Sequence, residues 1–131
     1  MDLGTSTGFL RDSGVQKIFN MGLFFYFMNV KIRYNSWVPK LVGWNGITLY
    51  PFIFMTTPKH KSRKSRLIHH EWIHIMQVRE HGFFKFYFSY LVQAFVNVLK
   101  YRNLKEAYRN ISFEKEAYLK EKKIKLPKKL E

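Results

Sequence analysis

The chain counts 131 residues, none of them cysteine, and carries a formal net charge of +14. That length suits one domain with a modest core, and the missing thiols exclude disulfides and cysteine-ligated metal. The cationic excess favours anionic partners, a lipid surface or nucleic acid, without choosing between them.

In chain order, residues 1–14 are polar and rich in Gly, Ser and Thr, and are expected to be a flexible start. Arg11 and Lys17 precede an apolar run over residues 21–30, but no small-residue cleavage site follows, so no signal peptide is read and the expected location is cytoplasmic or peripheral to a membrane. The run is too short to cross a bilayer as a helix. Its periodicity does not separate helix from strand; we read a helix. Residues 36–55 read as a β-hairpin: β-branched and aromatic residues dominate 44–55, an Asn45-Gly46 turn opens them, and Pro51 inside them points to an edge strand or a bulge.

Lys59, Lys61, Arg63, Lys64 and Arg66 form a basic stretch ahead of a helix expected over 65–81, with Ser65 as its N-cap and Gly82 as its stop. A second helix is expected over 83–101. Nearly all its circumference is apolar or aromatic, and Lys85, Ser89, Gln93 and Asn97 recur every four residues as one narrow polar stripe. Three roles fit it: a central core helix, a face that docks on a partner or a second copy, or a segment in contact with lipid. A third helix is read near 104–123, with Pro127 beyond it, and residues 124–131 form a basic tail. Residues 59–131 hold 18 Lys or Arg against 7 acids, in two clusters, the stretch at 59–66 and the tail lysines Lys120, Lys122, Lys123, Lys125, Lys128 and Lys129. The class is α+β with helix predominating, one domain over residues 15–123.

The chemistry concentrates in His70-Glu71-Trp72-Ile73-His74. On a helix, positions four apart share a face one turn apart, so both imidazoles reach one ion at about 2.0–2.1 Å per nitrogen. Glu71 lies one residue off that line and can stand beside the metal as a general base toward a water. A catalytic zinc needs a third protein ligand. His60, His69, His81, Glu80, Glu106, Glu114 and Glu116 have suitable chemistry. His69 points about 100° away from His70, and His81 lies about 10 Å along the axis from His74, so a carboxylate on a later helix is the better solution. Residues 111–118 supply two, Glu114 and Glu116.

This motif, with Gln77, Gly82 and the aromatic stretch behind it, and then Ala107-Tyr108-Arg109-Asn110-Ile111-Ser112-Phe113-Glu114-Lys115-Glu116-Ala117-Tyr118, resembles a group of small bacterial and phage proteins regarded as zinc metallopeptidases of gluzincin type. The resemblance implies a minimal zincin-like domain, Zn2+ as cofactor, an edge strand beside the active-site helix that pairs with extended peptide, and a Glu from a later helix as third ligand. In gluzincins that Glu is followed three residues later by a small residue and then by Asp. Glu114, with Ala117 at the third place, fits that frame better than Glu116. The departure is Tyr118 where the Asp would stand, since that Asp supports a ligand histidine.

The implied activity is hydrolysis of a peptide or related amide, with Glu71 as base. Transition-state donors are sought among His81, Tyr101, Tyr108 and Arg109, and Gln77 either bonds a ligand or makes an interhelical hydrogen bond. The alternative is a membrane-surface or phage-assembly interaction protein with a structural or inactive zinc site. Basic clusters beside an aromatic helix fit a membrane surface better than base reading, because no nucleic-acid fold signature is present.

Overall fold

A computed structural model describes residues 29–127. The N-terminal expectations for residues 1–14 and 21–28, and the tail end 128–131, lie outside the described residues. The fold is α+β with helix predominating: a three-stranded sheet packed on a helical layer.

Strands β1 (Lys31–Arg33), β2 (Gly46–Leu49) and β3 (Phe52–Met55) lie in the order β1-β3-β2. β3 runs parallel to β1, pairing Ile32 with Ile53, and antiparallel to β2, pairing Thr48 with Ile53. The period of two is plain in burial: Ile32 is buried between exposed Lys31 and Arg33, and Ile53 and Met55 are buried on β3. The expected hairpin over 36–55 is shorter than predicted. Residues 38–42 form a 3-10 helix, with Pro39 in its first turn and Gly43 ending it at φ 77°, and the hairpin proper is β2–β3. Pro51 is neither within a strand nor at a bulge; it follows a cis bond in the tight Tyr50-Pro51 turn. β2 is an edge strand of this sheet.

The basic stretch folds in part into a four-residue helix, α1 (Lys59–Ser62), tied down by buried Ser62, whose hydroxyl donates to the Thr57 carbonyl at 3.1 Å. α2 (Arg66–His81) is the central element, burying Ile68, Trp72, Ile75 and Val78 against the sheet residues Ile32, Ile53 and Met55. Ser65 holds the N-cap position, but its hydroxyl donates back to the Ser62 carbonyl rather than capping an amide. Gly82 ends the helix at φ +90°, a backbone state that strains any L side chain, and lets α3 (Phe83–Tyr101) start at once.

α3 corrects the core reading. Phe86 is its one buried residue among those described, and the second half of the polar stripe faces inward: Gln93 Oε1 accepts the Ser112 N–H at 2.7 Å and Asn97 Nδ2 donates to the Ala107 carbonyl at 3.0 Å, while Lys85 stays exposed. The predicted helix over 104–123 is two helices, α4 (Leu104–Arg109) and α5 (Ser112–Lys120). The break comes at Asn110 and Ile111. Asn110 Nδ2 donates to the Glu106 carbonyl at 2.7 Å, while Ile111 leaves helical conformation at ψ 132° to bury its side chain. The reset turns Glu114 and Ala117 onto α2, where both are buried.

Candidate metal centre

Positions 70, 74 and 77 share one face of α2, opposite the sheet, and α5 lies across that face. His70, His74 and Glu114 meet there, all buried, with one ligand atom from each within 4.8 Å of the others. His70 Nε2 is 2.7 Å from Glu114 Oε1, and His74 Nε2 is 3.0 Å from Glu114 Oε2 without hydrogen-bond alignment. Glu116 takes another role: its Oε1 accepts from Gln77 Nε2 at 2.8 Å.

The outer nitrogens decide what the inner ones can do. Gln77 Nε2 donates to the Phe113 carbonyl and to Glu116, which fixes the amide orientation and leaves Oε1 as the acceptor for His74 Nδ1–H at 2.7 Å. His70 Nδ1–H is donated to Glu121 Oε2 at 2.8 Å. Neutral rings held this way turn their Nε2 lone pairs toward an anionic carboxylate. Positive charge must stand between them, either a proton on each ring or one cation shared by all three groups. Two imidazoles and a carboxylate are the donor set of a catalytic zinc, so the residues fit that ion.

The electrostatics agree in direction. Burial opposes charge on both imidazoles, yet the Glu114 carboxylate outweighs it, raising His70 above its ordinary value and pushing His74 up to about 9. Burial likewise opposes charge on Glu114, but the two imidazoles hold its carboxyl well below the usual carboxylate range. Glu71 goes the other way: desolvation raises its carboxyl despite the nearby histidines and Thr48. Thr48 Oγ1 lies 2.7 Å from Glu71 Oε2 and 3.0 Å from the Glu71 carbonyl, pinning the carboxylate to β2.

Glu71, His74 and Glu114 all open on one cavity of about 230 Å3 between β2 and α3, walled by Trp44, Ile47, Phe86, Tyr87, Leu91 and Tyr108 among others. Tyr90 donates to Glu114 Oε2 at 2.8 Å, and the Tyr108 ring packs on Trp44 with centroids 4.7 Å apart. Burial, then the Glu114 charge, holds both phenols above their ordinary range, so they stay protonated as donors. Tyr87 closes one end of β2: its hydroxyl accepts the Tyr50 N–H at 2.8 Å and donates to the Thr48 carbonyl at 3.1 Å.

Of the other predicted site residues, Gln77 contacts both His74 and α5, Tyr108 lines the cavity, and Tyr118 packs edge-on against His70 at 4.6 Å. His81, Arg109 and Tyr101 fall elsewhere. His81 packs on Phe113, Arg109 lines outer surface hollows rather than the cavity, and Tyr101 sits under Lys100 at the end of α3. His60, Glu80 and Glu106 are exposed. Sequence reasoning passed over Thr48, Tyr90 and Glu121. Glu121 was within reach of it, since it lies seven residues after Glu114 and so on the same helical face.

No family model, curated protein or solved structure matches this chain. The reading of the centre therefore rests on its own geometry.

Proposed function

We propose that the protein is a zinc-dependent hydrolase of peptide or related amide bonds, with His70, His74 and Glu114 holding the metal and Glu71 as general base. The observation that carries this is the shared cavity: a buried carboxylate with a raised pKa opens on the same space as His74 and Glu114. A purely structural zinc would be closed by a fourth protein ligand. Among the described residues, three groups converge here.

Zinc, when bound, supplies a Lewis acid for a carbonyl and an acidified water. The chain's own groups do the rest. Glu71, aimed by Thr48, takes a proton from the attacking water as its oxygen adds to the carbonyl carbon; the same proton passes to the leaving nitrogen as the C–N bond breaks. Tyr108, a protonated phenol on the cavity wall, is a donor for the developing oxyanion. The wall is largely apolar, which favours an apolar side chain next to the scissile bond. Because Tyr87 occupies the Thr48 carbonyl and the Tyr50 amide, an extended substrate can pair with β2 only upstream of that point.

Elemental analysis of the purified protein tests this first. About one zinc per chain, lost in Glu114→Ala and retained in Glu116→Ala, is the expected result. Glu71→Gln should then keep the metal and abolish cleavage of a peptide mixture read by mass spectrometry. Surviving cleavage would remove Glu71 from its role, and a metal-free folded protein would remove zinc.

A further inference from the structure

The outer face of α3 is apolar from Phe88 to Leu99. Phe88, Leu91, Val92, Phe95, Val96 and Leu99 are all exposed, up to 72% at Phe88. At 100° per residue they cover an arc of about 140°. The inward arc holds Phe86, Tyr90, Gln93 and Asn97, whose polar groups are already bonded to α4 and α5. From Phe88 on, the helix is thus inverted relative to a water-facing one, with Gln93 and Asn97 inside and its aromatic ridge outside.

The charge around that ridge has one sign. From His81 to Lys105 there is no Asp or Glu, while Lys85, Lys100, Arg102 and Lys105 are exposed at the two ends of the helix. Long cationic side chains flanking an apolar ridge suit the headgroup level of an anionic bilayer, where their stems lie along the apolar boundary and their ammonium groups meet phosphate. A second copy suits it poorly. Two such faces would bring these cations together with no carboxylate to pair them, between chains of net charge +14 each. No described helix is long and apolar enough to cross a membrane, so α3 would lie along the surface.

We propose that α3 docks the protein on an anionic lipid surface through the ridge from Phe88 to Leu99. Leu91 also lines the cavity beside Glu71 and His74, so docking brings the mouth of that cavity to the lipid boundary. The docking itself needs neither metal nor catalysis.

The test is co-sedimentation of the full chain with vesicles of phosphatidylcholine containing a quarter phosphatidylglycerol, against pure phosphatidylcholine. The wild type should bind the anionic vesicles, more weakly at high salt, and Glu71→Gln should bind equally. The double variant Phe88→Asp, Phe95→Asp, at two exposed positions, should fold with an unchanged circular dichroism melt and bind at least about tenfold more weakly. Three outcomes would overturn the proposal: no binding by the wild type, binding unchanged in the double variant, or a wild-type dimer that the double variant dissociates.

Discussion

α2 and α3 are consecutive, joined at Gly82, and follow opposite rules. α2 buries nine of its sixteen residues and takes His70, Glu71, His74 and Gln77 into the interior, each with at least one hydrogen-bond partner, while His74 Nε2 is left facing the Glu114 carboxylate without one. α3 is far more apolar along its sequence, yet buries Phe86 alone among its residues. Orientation was therefore not set by which face is greasier. It follows the polar groups that find partners on the neighbouring helices: Gln93 takes the Ser112 amide, Asn97 the Ala107 carbonyl, and Tyr90 the Glu114 carboxylate. An interior built on matched polar groups leaves the apolar residues of α3 for a neighbour other than water.

The sharpest way to break the contrast is at the polar interior of α2. Without Glu114, two buried imidazoles lose the charge that holds them, and zinc stoichiometry should fall from about one per chain to near zero in Glu114→Ala. In the wild type, free zinc at a hundred times its Kd should raise unfolding stability by about 2.7 kcal/mol, measured as chelator-dependent thermal unfolding. No stabilisation by zinc would place the histidines on protons rather than metal. Apolar truncations compare the two helices directly. Ile75→Ala, at a residue with no exposure, should cost about 2–5 kcal/mol in urea unfolding, whereas Phe95→Ala on the outer ridge should stay within about 0.5 kcal/mol. Equal losses would mean that the ridge is packed in solution.

A smaller effect is expected from the groups that hold the outer side of the His70 ring. Tyr118 packs on the His70 ring, and Glu121, one turn further, accepts the Nδ1–H. Glu121→Ala should weaken zinc affinity by about 10–100-fold in competition with a chromogenic chelator, and Glu121→Gln, which keeps an acceptor, by less. Tyr118→Phe keeps the ring contact and should bind zinc as the wild type does.

What was legible in the sequence divides along the same line. The extent of α2 and α3 could be read because Gly82 punctuates long periodic segments; helical spacing excluded His69 and His81 as third ligands but left Glu114 and Glu116 open, and only the family resemblance favoured Glu114, which the structure places beside His70 and His74. The break at Asn110 and Ile111 could not, since an apolar residue in a helical pattern gives no sign that burial will pull it out of the helix. β1 was hidden in the same way: three residues with a single buried Ile32 are too short for alternation to register. Thr48 and Tyr90 were invisible because their roles depend on contacts 23 and 24 residues away in the chain, to Glu71 and Glu114.

The smallest expected effect bears on α3 itself and reverses the usual direction of a hydrophobic substitution. Asn97→Leu adds apolar area to a helix that is already rich in it, and on an ordinary core helix facing apolar neighbours it would stabilise. Here the Asn97 amide donates to the Ala107 carbonyl at 3.0 Å, at the junction where α4 packs on α3. Leucine leaves that carbonyl without its partner, and the loss should be about 1 kcal/mol in urea unfolding. Val96→Asn, one residue away on the exposed arc, makes the helix more polar and should change stability by no more than about 0.5 kcal/mol. If Asn97→Leu instead stabilised the protein, the inward amides of Gln93 and Asn97 would not be what orients α3, and the exposure of its aromatic ridge would need another cause.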